Sequence, residues 1–183
     1  RGDAAVVAAL ADELKALGIK KAAVKRAFEA ARRAQNEFVA TVKTRGIQVL
    51  EALGKDQNAV VIVGRPYNTC DGGINLEMPK KFRDLGALAI PMDFLPVEAV
   101  ELSHEWDNMY WKYGQKILSA VEIIRKDPRL HGVYITNFGC GPDSFLLKFF
   151  RTKMGGKPFL QLEIDEHSAG AGAITRAEAF LDS

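Results

Sequence analysis

Two cysteines, Cys70 and Cys140, are the residues best suited to chemistry in this chain of 183 residues. Cys140 lies in Gly139-Cys140-Gly141-Pro142, where flanking glycines permit backbone angles that other residues resist. Pro142 can open a helix, which would place Cys140 at a positive helix terminus and favour its thiolate. A thiolate there can ligate a metal or attack an electrophile. The same residue can equally be a small side chain in a tight turn. Cys70 sits in the polar loop Asn68-Thr69-Cys70-Asp71-Gly72-Gly73, an unusual setting for a core thiol, though a packing role stays open.

Other side chains carry paired readings. Arg65, ahead of Pro66, can hold a phosphate or carboxylate with its planar fork, or form a structural ion pair. Asp165-Glu166-His167 can supply a general base and an orienting acid, but a solvated strand-to-helix turn has more weight. A cysteine-nucleophile enzyme would use Cys140 as attacking group, His167 as base, and Glu163 or Asp165 to orient the imidazole. Trp106, Met109, Tyr110, Trp111 and Tyr113 can wall a flat ligand, or more simply cap a sheet edge. Asn68, Asn75 and Asn137 are turn or cap residues by default. The sequence lacks a P-loop, a full dinucleotide-binding glycine fingerprint, a self-contained zinc motif and a serine-hydrolase elbow.

These residues need a scaffold, and the hydrophobic period supplies one. Residues 59–63 form a β-branched run ended by Gly64, the pattern of a buried strand. Residues 87–90, 132–136 and 159–164 are three further strand candidates. Helical patterns fall at 79–85, 113–126, 142–154 and 173–181. Strands alternating with helices predict an α/β fold: a three-layer, Rossmann-like domain with a mostly parallel four-stranded sheet. Ligands in such sheets bind beyond the carboxyl ends of the strands, and both cysteines fall in loops that follow a strand. Chance could place both there, but the coincidence raises the expectation of one shared site for the two thiols.

Ahead of this body, residues 1–54 predict an N-terminal helical arm, with the α/β domain over 55–183. Val6, Leu10, Leu14 and Leu17 form a stripe that stops at Gly18. A second helix over roughly residues 20–53 would reach about 50 Å if Gly46 does not interrupt it. A coiled-coil seam along it is broken by Gln35 and Arg45.

Composition narrows the class. With 25 Lys+Arg, 23 Asp+Glu and 48% hydrophobic residues, the chain is a folded globular protein rather than a disordered one. No apolar run approaches the roughly 18–20 residues of a membrane span. Residues 1–55 hold eleven basic and six acidic residues, and the rest fourteen and seventeen. No base-reading motif accompanies the basic arm, so neither nucleic acid nor membrane is expected as a partner. Two distant cysteines are no secreted disulfide framework, and a reducing cytoplasm is expected. The Arg1-Gly2 opening is expected to be a cut within a longer protein.

Three segments carry a resemblance: residues 63–68 (Val-Gly-Arg-Pro-Tyr-Asn), 137–145 (Asn-Phe-Gly-Cys-Gly-Pro-Asp-Ser-Phe) and 163–176 (Glu-Ile-Asp-Glu-His-Ser-Ala-Gly-Ala-Gly-Ala-Ile-Thr-Arg). They resemble the acyl-CoA dehydratase activase-related domain, which belongs with the 2-hydroxyacyl-CoA dehydratase and double-cubane iron–sulfur proteins. The likeness covers roughly residues 55–183. It implies an iron–sulfur-associated electron-transfer domain of an ATP-dependent acyl-CoA dehydratase or reductase system. The partners implied are an activase module and a dehydratase-like module, in the same polypeptide or as separate subunits. Cys70 and Cys140 fall where the thiolates of a [4Fe–4S] cluster would, with Gly139, Gly141, Arg65 and Asn68 expected around the same cofactor. A cubane takes about four ligands, and this chain has two cysteines. A non-catalytic scaffold that docks activase and cluster modules is the third reading.

Overall fold

A computed structural model describes residues 2–102, 106, 108–137, 139 and 141–183. Cys140 and Phe138, and with them the centre of the Gly-Cys-Gly turn, lie outside the described residues. The chain divides into two compact units, residues 1–44 and 45–183.

In the first unit, α1 (Asp3–Leu14) runs into a short 3-10 turn that ends at Gly18. Gly18 has φ 73°, a left-handed stop that glycine adopts without strain. The predicted stripe is corrected here. Val7 and Ala11 are the buried residues, while Val6, Leu10 and Leu17 are exposed. A shift of one residue turns a helix face by about 100°, so the face in use follows from what the helix packs on. Asp3 pairs with Arg32, whose guanidinium also stacks over Phe28. The second helix, α2 (Lys21–Ala52), is continuous through Gly46.

Gly46 is there for a close approach rather than as a break. A Cβ at this position would lie 2.2 Å from the carbonyl oxygen of Phe94. Gly46→Ala is therefore expected to destabilise the protein by about 1–2 kcal/mol, because backbone overlap outweighs the helix-propensity gain of about 1 kcal/mol. A urea midpoint unchanged or raised in the variant would contradict this packing.

The second unit alternates strand and helix: β1 (Ala59–Val63), α3 (Pro66–Cys70), α4 (Met78–Asp84), β2 (Leu88–Pro91), α5 (Lys112–Lys126), β3 (Leu130–Asn137), α6 (Asp143–Met154), β4 (Phe159–Ile164) and α7 (Gly170–Leu181). The four strands pair in parallel in the order β2-β1-β3-β4. The register sets Val63 beside Tyr134, so the carboxyl ends of β1 and β3 are neighbours.

Period-two alternation divides the core. Val61, Val63 and Tyr134 face Ile117, Val121 and Ile124 of α5 and Phe150 of α6. Val60, Ile62, Val133 and Ile135 face Met78 and Phe82 of α4 and Ala177 of α7. The result is a three-layer α/β fold with an all-parallel four-stranded sheet, as the sequence predicts. β1 is buried along its whole length, which explains its uninterrupted β-branched run. The last turns of α2 belong to this unit, where Leu53 joins the α5/α6 layer with Val49 and Leu50 against it. Trp106 also belongs to that layer, edge-on to Phe149 at 4.8 Å, so it serves packing. Tyr110 and Trp111 form an exposed edge-to-face pair. Among the described residues, no helix is long and apolar enough to cross a membrane.

Candidate functional site

The strand order fixes where a site can form. From β1 the chain moves to one side of the sheet to make β2, then returns past β1 to make β3 and β4. The carboxyl ends of β1 and β3 thus flank the topological switch point, where open α/β sheets bind their ligands. The loop after β1 carries Arg65, Asn68 and Cys70. The loop after β3 carries Gly139 and Gly141.

Buried hydrogen bonds hold the floor of this site. Asp143, fully buried in the first turn of α6, accepts from the Tyr134 hydroxyl (2.9 Å), the Thr136 hydroxyl (2.6 Å) and Arg65 Nη2 (3.0 Å). The ion pair joins the loop after β1 to the helix after β3, 78 residues later. The Arg65 guanidinium also lies over the Tyr67 ring, 4.7 Å from its centroid. Burial, followed by the Asp143 carboxylate, pushes the Tyr134 phenol well above its ordinary range, so Tyr134 stays a donor. Of the two readings of Arg65, the structural ion pair is therefore present.

The loops approach each other above this floor. A Cβ on Gly141 would lie 3.7 Å from Arg65 Nη1, and one on Gly139 would lie 3.5 Å from Glu163 Oε1. Gly139 and Gly141 have φ 57° and 59°, left-handed values that explain a glycine on each side of Cys140. α6 begins at Asp143, with Pro142 in the capping position.

Cys70 ends α3 as a free, exposed thiol, with Thr69 Oγ1 3.6 Å from its sulfur. The loop beyond it is tightly stitched. Asp71 Oδ1 accepts from the backbone N–H groups of Gly73 and Ile74, and Asn75 Nδ2 donates to the Thr69 carbonyl. Leu76 and Glu77 both take left-handed angles, φ 54° and 53°, a strained pair in a segment otherwise over-determined by hydrogen bonds. Asn68 is fully buried, and neither its amide nitrogen nor its oxygen has a hydrogen-bond partner among the described residues. A buried amide left this way is costly, and such a group marks a place where a missing polar partner belongs.

On the β2 side, Lys116 Nζ bonds Asp93 Oδ1 at 2.5 Å and lies over the Tyr113 ring. Burial, then the negative charge of Asp93, raises the Tyr113 phenol well above its ordinary range. Tyr113 therefore remains protonated across the ordinary pH range.

The Asp165-Glu166-His167 segment forms a turn. Asp165 Oδ1 accepts from the backbone N–H of His167 and from the Ser168 hydroxyl, not from an imidazole nitrogen. The Ser168 hydroxyl holds Asp165 below its usual carboxylate range. The His167 ring is 85% exposed, with Glu166 at 3.7 Å. These contacts are those of a solvated strand-to-helix turn.

Asp143, Tyr134 and Thr136 were not singled out from the sequence as site residues. The available signal was an acid at the start of a helix following a strand, with an arginine in the loop after another strand. Only their convergence in space gives that signal meaning.

A family model described as the CoA enzyme activase uncharacterised domain (DUF2229) matches residues 3–95. The match takes in the helical arm and the β1–β2 half of the sheet, including Arg65, Asn68 and Cys70, and stops short of Gly139–Gly141. No curated protein and no solved structure matches the chain. With half of its length so matched, the chain belongs to the CoA enzyme activase domain family.

Proposed function

We propose that this domain is the iron–sulfur-associated electron-transfer part of an ATP-dependent acyl-CoA dehydratase or reductase activase-type protein, and one piece of a longer cytoplasmic chain. The observation that carries the proposal is the meeting of the loops after β1 and β3 at the switch point, with Gly141 in contact range of Arg65. One loop bears Cys70 and the other bears Cys140.

The donor set fits half of a cubane. The chain has two cysteines against the four or so that a [4Fe–4S] cluster takes, and the described residues contain no cluster of three or more His, Cys, Asp or Glu side chains suited to a metal. On this reading Cys70 and Cys140 are two of the thiolates, and the remaining ligands come from a dehydratase-like module. When bound, the cluster supplies one-electron transfer at low potential.

The chain's own residues hold and shield the thiolates. Tyr113, kept protonated, and the Lys116–Asp93 pair border the Cys70 side. Arg65, fixed by Asp143, places positive charge between the two loops. The unspent amide of Asn68 offers a donor and an acceptor to a bound group. ATP hydrolysis belongs to the activase module, since this sequence has no nucleotide-binding glycine loop.

Anaerobic incubation of the chain with ferrous iron, sulfide and a small thiol tests the reading. The chain is expected to retain iron with visible thiolate-to-iron absorbance. Cys70→Ser and Cys140→Ser are each expected to lose most of it while circular dichroism stays unchanged. Full iron retention by both variants would sink the assignment.

A further inference from the structure

The helical unit, residues 1–44, is short of core. Among its described residues the buried apolar side chains are Val7, Ala11 and Val24. Six large apolar side chains are exposed: Val6, Leu10, Leu17, Ile19, Phe38 and Val39. Helices in proteins owe most of their order to the packing of an apolar face, and this pair packs little of it. Asp3, at the start of α1, pairs with Arg32, so α1 lies along the first turns of α2 and ends there. Every residue of α2 from 31 to 41 is exposed.

A groove of about 540 Å³ opens between the two helices. Val7 is buried and Phe28 half-buried, and they form its floor. Lys21, Lys25, Arg32 and Arg33 are exposed and form its rim. The two acids of the groove are spent, Glu29 on Lys25 at 3.8 Å and Asp3 on Arg32. Lys21 and Arg33 have no carboxylate partner among the described residues.

The groove continues as a stripe. At 3.6 residues per turn, Lys21, Phe28, Arg32 and Val39 fall within about 40° of one another around α2. They mark a line about 27 Å long at 1.5 Å per residue, with exposed Val39 beyond the end of α1. A line of that length, with apolar anchors at helical spacing, fits the apolar face of another helix. Charge selects which helix. α2 carries seven basic and three acidic residues, and residues 1–44 carry nine and five. A second copy of the arm would set like charge against like charge. An acidic helix would instead pair with Lys21 and Arg33.

We propose that this groove and stripe dock an acidic, amphipathic helix of a partner protein, which completes the hairpin to three helices. The docking surface is separate from the cysteines and does not depend on the iron–sulfur reading.

A synthetic helix of three heptads, each Glu-Leu-Ala-Glu-Leu-Glu-Ala, probes the surface by titration into the isotopically labelled full chain in nuclear magnetic resonance. Saturable shifts are expected at the amides of Val7, Lys21, Phe28, Arg33 and Val39. A peptide of the same composition, scrambled to remove the leucine stripe, should bind more weakly. Lys21→Glu/Arg33→Glu, a double change at exposed positions, should weaken the first peptide about tenfold, and Val39→Ser about threefold, with circular dichroism unchanged. Absence of saturable shifts would overturn the proposal. So would equal binding of the scrambled peptide, equal binding of the peptide with lysine in place of glutamate, or unchanged affinity in both variants. Self-association of the chain through these amides, or their tighter engagement by phosphatidylglycerol vesicles, would overturn it in favour of a second copy or a lipid surface.

Discussion

Replacing Asp143 by alanine is expected to lower the free energy of unfolding by about 3–5 kcal/mol, the range for removing one partner of a buried, hydrogen-bonded ion pair. The carboxylate is fully buried and serves three donors at once. Alanine leaves the Tyr134 and Thr136 hydroxyls, both fully buried, without their acceptor. Each such loss costs on the order of 1–3 kcal/mol before the lost ion pair is counted. Urea unfolding gives the number, and a series apportions it. Tyr134→Phe removes one hydrogen bond and should cost about 1 kcal/mol. The double variant Tyr134→Phe/Asp143→Ala should cost less than the sum of the two singles, since both remove the same bond. A loss for Asp143→Ala below about 1 kcal/mol, the worth of a surface pair, would mean that the network does not hold the two loops together.

Gly64→Ala is expected to cost about 2–6 kcal/mol, and for two separate reasons. Gly64 has φ 151°, a region that L side chains rarely adopt, which costs about 1–3 kcal/mol. A Cβ there would also lie 2.5 Å from the carbonyl oxygen of Ile135 on β3. Relieving that overlap requires β1 and β3 to separate at their carboxyl ends, at about 1–3 kcal/mol for overpacking of this kind. The same separation would move the Cys70 loop away from the Gly139–Gly141 turn. Gly64→Ala should therefore lower both the urea midpoint and iron retention in the reconstitution experiment. By contrast, Gly155→Ala has φ 60° but open space around its Cβ, so it should show backbone strain alone and retain iron. Equal effects of the two substitutions on iron retention would remove the link between strand spacing and the candidate site.

The fold was largely legible because its signals are local. Ala59–Val63 is a run of five residues with four β-branched side chains, which only a strand buried on both faces uses well. β4 spans the 159–164 segment that its alternation predicts, and the 132–136 strand extends to Leu130–Asn137 because pairing with β1 and β4 continues past its apolar centre. α3 was not legible. It is five residues long, held by backbone N–H groups of Asn68 and Thr69 bonded to the Arg65 carbonyl, and too short to show a period. Gly46 also has no local signature, since its role is set by Phe94, 48 positions away.

The candidate site shows the same division. Arg65, Asn68 and Cys70, like Gly139 and Gly141, could be placed on the carboxyl side of the sheet from the alternation of strands and helices alone. The glycines about Cys140 announced their left-handed backbone by composition. Asp143 did not announce itself, because an acid in a first helical turn is most often a solvated cap or dipole partner.

By itself, then, the amino-acid sequence determined the layer architecture, the helical arm, the family likeness and the end of the sheet where the two cysteines' loops emerge. These follow from hydrophobic period and from residues with restricted or permissive backbones, both of which act between near neighbours in the chain. Tertiary structure alone decided the strand order, hence the switch point between β1 and β3, and the burial of Asp143 beneath Arg65. It also decided which face of α1 is buried and how closely Gly64 approaches Ile135. Those depend on which distant segments meet, a choice made by packing and hydrogen-bond satisfaction summed over the whole domain.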